Sequence, residues 1–206
     1  MALRKILLQG DKALLRTSRE VTDFDARLAQ LLDDLHETIE SEEGMGLAAP
    51  QVGVLRRACL VIDLTGTEDE VLELINPEII TYSEELDTAC EGCLSVPNIW
   101  GMVDRPKEVR VRAQDRFGNV FELDCDNYLA RAIQHEIDHL DGILFSKNTT
   151  RFLSEKEAEL IMDGREREFR KRRKNARLLA AKSGTKPSSI NSRKIIVQPA
   201  DGAESV

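Results

Sequence analysis

Two of the chain's three histidines, His135 and His139, stand four positions apart in the stretch QHEIDHL, and Glu136 directly follows the first. On an α-helix that spacing stacks both rings on one face, one turn apart. Two neutral imidazoles so placed can share one divalent metal ion. A carboxylate beside the first can handle the proton of a water on that ion. Ordinary helices also produce this spacing by accident, so the pattern needs partners elsewhere in the chain.

A catalytic ion usually takes three protein ligands and leaves one position open. A third histidine after a glycine, as in extended metalloprotease motifs, fails here: Gly142 is in place, but Phe145 occupies the histidine's position. Glu155, Glu157 and Glu159 offer a downstream carboxylate, and Cys93 an upstream thiolate. A closed set is a further alternative. Cys90 and Cys93 together with His135 and His139 would surround a zinc ion completely and make a structural site. The span between the two pairs is far longer than in a compact zinc finger, and a core of normal size folds without metal. A closed site also has no use for Glu136.

The element that must carry the histidines is a helix. Asn127 is its expected N-cap, and Tyr128, Leu129, Ala132, Ile133, Ile137 and Leu140 make an apolar stripe at helical spacing. Gly142 is the expected stop. Before it, Val109, Val111 and Ala113 alternate with charged neighbours, and Phe121, Leu123 and Cys125 answer across the turn residues Arg116–Asn119. This predicts a hairpin with one buried face. Ala58–Ile62 and Val71–Ile75 read as strands around the acidic turn at 65–70, and Asn76-Pro77 opens a further extended stretch. Asp23-Phe24-Asp25 opens an early helix striped by Leu28, Leu31, Leu32, Leu35 and Ile39. His36 lies beside that stripe and receives no chemistry. In Gly44–Gly53 the crowded small residues suggest backbone in close approach to something, and a tight turn is the plainer reading. The stretch has no phosphate-loop lysine, and Gln51 is its one side-chain hydrogen-bond donor. Residues 1–22 resist assignment.

The 206 residues suit one domain with an appendage, and a hydrophobic share of 41% sustains a normal core. The formal net charge of -8 argues against nucleic-acid binding by the main body. No apolar run reaches the length of a bilayer, so no membrane partner is expected. The opening MALRKILLQG is too soon interrupted by charge for a secretory signal. Cys59, Cys90, Cys93 and Cys125 are therefore read as reduced or metal-ligating thiols in a cytoplasmic protein, expected to be a monomer. After about residue 150 the character changes. Ser154 and Glu157 could cap a helix that turns strongly basic over Arg165–Arg177, and from Ser183 the chain reads as mostly disordered.

Three segments in order, GMGLAAPQ at Gly44–Gln51, EGCLS at Glu91–Ser95 and QHEIDHL at Gln134–Leu140, closely resemble the three motifs of the peptide deformylases. Each is weak alone; the ordered triple is specific. The resemblance covers residues 1–150 as a catalytic domain, leaving 151–182 as a basic C-terminal helix and 183–206 as a tail. It implies an α+β fold, with antiparallel strands packed around a central metal-binding helix. It implies Cys93, His135 and His139 as ligands, Glu136 as general acid/base, and Gln51 with the Leu94 N–H as oxyanion donors. Ferrous iron would be the native metal, with zinc, nickel or cobalt also able to bind. The substrate would be the N-formyl group on the initiator methionine of a new peptide. Met45, Leu94 and His135 would line the methionine pocket, with Gly44, Gly46 and Glu91 near the peptide, which would pair with a strand edge. Two positions depart from the bacterial pattern: Trp100 stands where an arginine is often found, and Arg131 where an apolar pocket residue is common. The resemblance also suggests that Arg165–Arg177 docks on ribosomal RNA, although a solvated helix face is the commoner explanation of such a run.

Overall fold

The computed structural model describes residues 2–42, 44–64, 69–164 and 194–197. Helix α1 (Ala26–Ser41) opens with the Asp25 carboxylate accepting from the N–H groups of Arg27 and Leu28. That satisfies two of the donors a helix start leaves free. Its stripe of Leu28, Leu31, Leu32, Leu35 and Ile39 is buried. Each such side chain contributes about 1.5–3 kcal/mol relative to exposure. His36, beside the stripe, lies 3.5 Å from Glu40.

The strands form two antiparallel sheets. The larger runs, in spatial order, β1 (Gly46–Ala48), β2 (Ala58–Asp63), β3 (Glu70–Tyr82), β6 (Glu108–Gln114), β7 (Val120–Asp126) and β9 (Ile195–Ile196). The smaller contains β4 (Leu86–Cys93), β5 (Val96–Pro106) and β8 (Thr149–Leu153). Period-two alternation gives the larger sheet a helix on each face. Ala58 and Leu60 of β2 join the α1 core, while Cys59 and Val61 join the core under α2 (Asn127–Leu140). The predicted hairpin is present: Val109, Val111, Ala113, Phe121, Leu123 and Cys125 are buried beneath α2. On its outer face Arg110 pairs with Asp124, and Arg112 with Glu122. The fold is α+β with antiparallel sheets, as the resemblance implies.

Some local expectations shift. The two extended stretches around Asn76-Pro77 are one strand, β3, with a register shift between Ile75 and Glu78. Asn76 takes φ 50, and its side-chain amide bonds both backbone groups of Val21 and the Gln114 side chain. A short amide tolerates that left-handed conformation where other residues strain. Asp126 rather than Asn127 is the cap of α2, and its side chain makes no capping bond. Gly142 does end the helix, at φ 75. It also serves packing: a Cβ there would lie 2.7 Å from the Leu15 carbonyl carbon.

The unassigned N-terminal segment ties together three separate parts of the chain. Leu7 N–H donates to Gln51 O, Gln9 N–H to Ser95 O and Ser18 N–H to Leu140 O, each at 2.7 Å. At the other end, Ser154 and Glu157 form the predicted capping box. The Ser154 N–H and hydroxyl both donate to Glu157 Oε2, at 2.9 and 2.7 Å, and residues 155–164 are helical. The basic stretch Arg165–Arg177 lies outside the described residues, as does the tail except for 194–197. There Ile195–Ile196 add to the edge of β7, and the Lys194 ammonium sits 4.4 Å over the Phe121 ring. No helix among the described residues is long and apolar enough to cross a membrane.

Candidate active site

Helix α2 delivers His135, Glu136 and His139 from inside the protein. Leu129, Ala130, Ile133, Ile137 and Leu140 pack on the larger sheet, which fixes the helix and the direction of both imidazoles. Cys93 arrives from the end of β4. Glu91 and Cys93 both reach α2, at His135 and His139, while Cys90 lies away from them. Cys90 lies with Leu153, Ala158, Trp100, Met102 and Ile161 in a separate apolar cluster. Glu157 is engaged by Ser154 and Arg151. The thiol and the two imidazoles therefore come together without either competitor: the ligand atoms of Cys93, His135 and His139 lie within 4.8 Å of one another. Cys93 Sγ is 3.2 Å from His139 Nε2.

The chemistry of this donor set fits a metal ion. Glu91 Oε2 lies 2.9 Å from His135 Nδ1. A carboxylate only accepts, so Nδ1 carries the hydrogen and Nε2 is the position left for a proton or a metal cation. The cradle also favours positive charge at that point. Burial opposes a charged His135, yet Cys93 and Glu91 raise its pKa well above the ordinary value. Burial, and then the charge of His135, lower the pKa of His139 well below its ordinary value, which favours the neutral imidazole a metal ligand needs. One soft thiolate with two imidazoles suits zinc, iron, nickel or cobalt.

Glu91 is the hub behind the cradle. Arg105 Nε and Nη2 donate to its two oxygens at 2.6 and 3.0 Å, and Arg131 Nη1 adds a bond at 2.6 Å. Burial alone would raise this carboxyl. Bonds from His135 and Arg105 overcome it and hold the group well below the usual carboxylate range. Arg105 also reaches Asp138 on α2 at 2.9 Å. Breaking one partner out of such a buried set typically costs about 3–5 kcal/mol.

Glu136 is 4% exposed, and among the described residues its Oε2 has no hydrogen-bond partner. An unpaired buried oxygen costs about 1–3 kcal/mol, and native proteins keep few of them. Burial raises its pKa to about 7; a cation in the cradle would draw it back down. Gly46 explains the close approach suspected in the small-residue stretch. A Cβ there would overlap Glu136 Oε1 and lie 2.8 Å from its Cδ. Gln51 sits in the 3-10 turn Ala49–Val52 and is 2% exposed. The Ala48 N–H donates to its Oε1 at 2.8 Å, so the amide NH2 is turned the other way, 3.2 Å from Ser95 Oγ and 3.6 Å from Cys93 Sγ.

Leu94 occupies the turn between β4 and β5, and its side chain packs toward the α1 core. Gly44 lies against it: a Cβ there would come 3.0 Å from Leu94 Cδ1. Met45 is 38% exposed. The Glu91 side chain, expected near the peptide, is occupied by Arg105, Arg131 and His135. Trp100 covers Gly92, whose Cβ would meet the indole at 3.0 Å. Arg131 is buried, and its guanidinium is bonded to the β4–β5 hairpin. Sequence reasoning missed Arg105, Asp138 and Ser95. Asp138 and Ser95 lie inside the quoted motifs without a role assigned to them, and nothing in the local spacing marks Arg105, because its partners are on other elements.

Residues 3–155 match the family model described as polypeptide deformylase. A peptide deformylase of Caldicellulosiruptor bescii is 55% identical over 159 residues, covering 77% of this chain and 93% of that one. Peptide deformylase 1 of Bacillus subtilis is 44% identical over 157 residues, covering 76% and 96%. The crystal structure of peptide deformylase from Thermotoga maritima superposes with a TM-score of 0.69 at 35% identity, covering 73% of this chain and 99% of that one. An actinonin-bound class I type b peptide deformylase from Acinetobacter baumannii gives 0.67 at 33% identity, with 73% and 100% covered. With the motif order, the cradle and these likenesses in agreement, the chain belongs to the polypeptide deformylase family.

Proposed function

We propose that this enzyme hydrolyses the N-formyl group from the initiator methionine of newly made peptides, releasing formate, at the cradle of Cys93, His135 and His139. The observation that carries the reading is the meeting of that cradle with the buried Glu136 carboxyl, whose Oε2 has no partner among the described residues, and with the Gln51 amide turned toward the same thiol. A divalent ion held by the three ligands would supply Lewis acidity, acidifying water and polarising the formyl oxygen. Glu136 takes the proton of the attacking water and returns it to the departing amine. The Gln51 NH2 and the Leu94 backbone N–H donate to the formyl oxygen as negative charge builds there. The Ala48–Gln51 bond holds that amide in place beforehand, so no reorganisation is needed during the reaction. Ferrous iron is the native ion in this reading, with zinc, nickel or cobalt also accepted, as the thiolate and imidazoles allow.

Met45, Leu94 and His135 would receive the methionine side chain. The peptide would run along Gly44–Gly46 at the β1 edge of the larger sheet, near the backbone of Glu91. The enzyme works as a cytoplasmic monomer, where nascent chains emerge. Release of formate from a formyl-Met peptide tests the reading. Cleavage of internal peptide bonds with no formate would favour a metalloprotease instead.

Gly46→Ala is expected to lower kcat about 100-fold by displacing the Glu136 carboxyl, since misplacement of about 1 Å costs that much. Metal content should stay at the parent level; metal lost with activity would mean the cradle itself had moved.

The basic stretch Arg165–Arg177 would dock the enzyme on ribosomal RNA, close to its substrate. Co-sedimentation with ribosomes should then weaken as salt rises. A chain ending after Gly164, which keeps the packed helical residues 155–164, should bind less well. Equal binding by the shortened chain would leave this stretch as a solvated surface.

A further inference from the structure

The ligands of the cradle come from two separate bodies, α2 and the β4–β5 hairpin, so something must hold those bodies in register. Arg131 lies one helical turn before His135, and both project from the same face of α2. From there its guanidinium takes hold of the hairpin at three residues. Nη1 donates to Glu91 Oε1 at 2.6 Å and to the Val103 carbonyl at 2.9 Å. Nη2 donates to the Asp87 carbonyl and, at 3.2 Å, to the Asp87 carboxylate. Arg105 crosses in the other direction, from β5 to Asp138 of α2, but its bonded partners are side chains. Arg131 alone of the two grips hairpin backbone, and it does so on both strands.

What it grips matters for the ligands. The Glu91 carboxylate sets the His135 ring through the 2.9 Å contact at Nδ1, and Cys93 lies two residues further along the same strand. A shift of Glu91 therefore turns one ligand ring and moves the strand that carries the thiol. We propose that Arg131 is a positioning residue. It seats α2 against the β4–β5 hairpin and, through Glu91, orients His135, and so sets how tightly Cys93, His135 and His139 jointly hold a divalent cation. This rests on reading those three residues as metal ligands.

The test uses the full chain loaded with cobalt(II) and titrated with a chelator, while thiolate-to-cobalt charge-transfer and d–d absorption are recorded. Arg131→Met removes the donors at similar length. Arg131→Lys keeps a charge that can reach Glu91 but cannot hold both carbonyls as a planar fork does. Arg131→Met is expected to release cobalt at ~10–100-fold lower chelator excess, the usual effect of losing a residue that orients a ligand. Its d–d bands should shift, and kcat should fall with KM near the parent's. Arg131→Lys should lie between the two. If Arg131→Met does not fold, Arg131→Lys decides by the same two readouts. Parent-like cobalt retention and spectra in a variant whose melting temperature alone falls would make Arg131 a brace of the fold only. If the parent itself binds cobalt without a thiolate band, the ligand reading fails, and the role of Arg131 fails with it.

Discussion

Glu136→Gln is expected to lower kcat by about 10²–10⁴-fold, the range for losing a positioned acid or base, while bound metal stays at the parent level. At 1.36 kcal/mol per tenfold, that is roughly 3–5 kcal/mol of transition-state stabilisation. The substitution is nearly isosteric, so Gly46 still accommodates the side chain. It also replaces a buried carboxyl, whose Oε2 has no partner among the described residues, with a neutral amide, which removes part of a desolvation cost. The melting temperature should therefore hold or rise while turnover collapses. That combination distinguishes a proton carrier from a structural residue. Formate release, metal analysis and thermal unfolding on the same preparation provide the check. Metal lost in proportion to activity would make Glu136 a structural element of the cradle instead.

The second large effect separates the two cysteines. Cys93→Ser should strip or badly loosen the metal and abolish formate release, because it removes one of three ligands and the only soft one. Cys93→Asp should retain some metal with altered affinity, since a carboxylate can also ligate. Cys90→Ser should keep metal and most activity. Its side chain lies away from both histidines, among Leu153, Ala158, Trp100, Met102 and Ile161. The cost there is stability, about 1–3 kcal/mol for a hydroxyl placed in apolar surroundings. Metal stoichiometry decides the matter. Equal metal loss from Cys90→Ser and Cys93→Ser, with no formate from the parent, would restore the closed zinc site.

Much of what depends on neighbours within a turn or a strand was legible in the residues alone, though the cap of α2 fell one residue earlier than expected. The four-residue spacing of His135 and His139, the adjacency of Glu136, the stop at Gly142 and the capping box at Ser154 are set by backbone geometry that repeats locally. The same holds for the buried face of the hairpin from Glu108 to Asp126, because alternation is a property of the strand itself. The ordered motifs then marked Cys93 as a ligand by resemblance, but spacing alone left Cys90 and the downstream glutamates as rivals. Among the described residues, folding brings Cys93, and neither Cys90 nor those glutamates, within reach of both histidines. The face of β4 that meets α2 depends on pairing with β5 and on the register shift between Glu91 and Cys93. Contact between β4 and α2, with Cys93 and His139 46 residues apart in the chain, leaves no local periodicity to read. For the same reason Arg105, Arg131 and Glu91 gave no hint of sharing one buried network. Each looks like an ordinary charged residue until burial removes water and obliges it to find a partner. The N-terminal segment shows the same limit. It has no periodicity because its hydrogen bonds go to Gln51, Ser95 and Leu140, which folding alone brings within its reach.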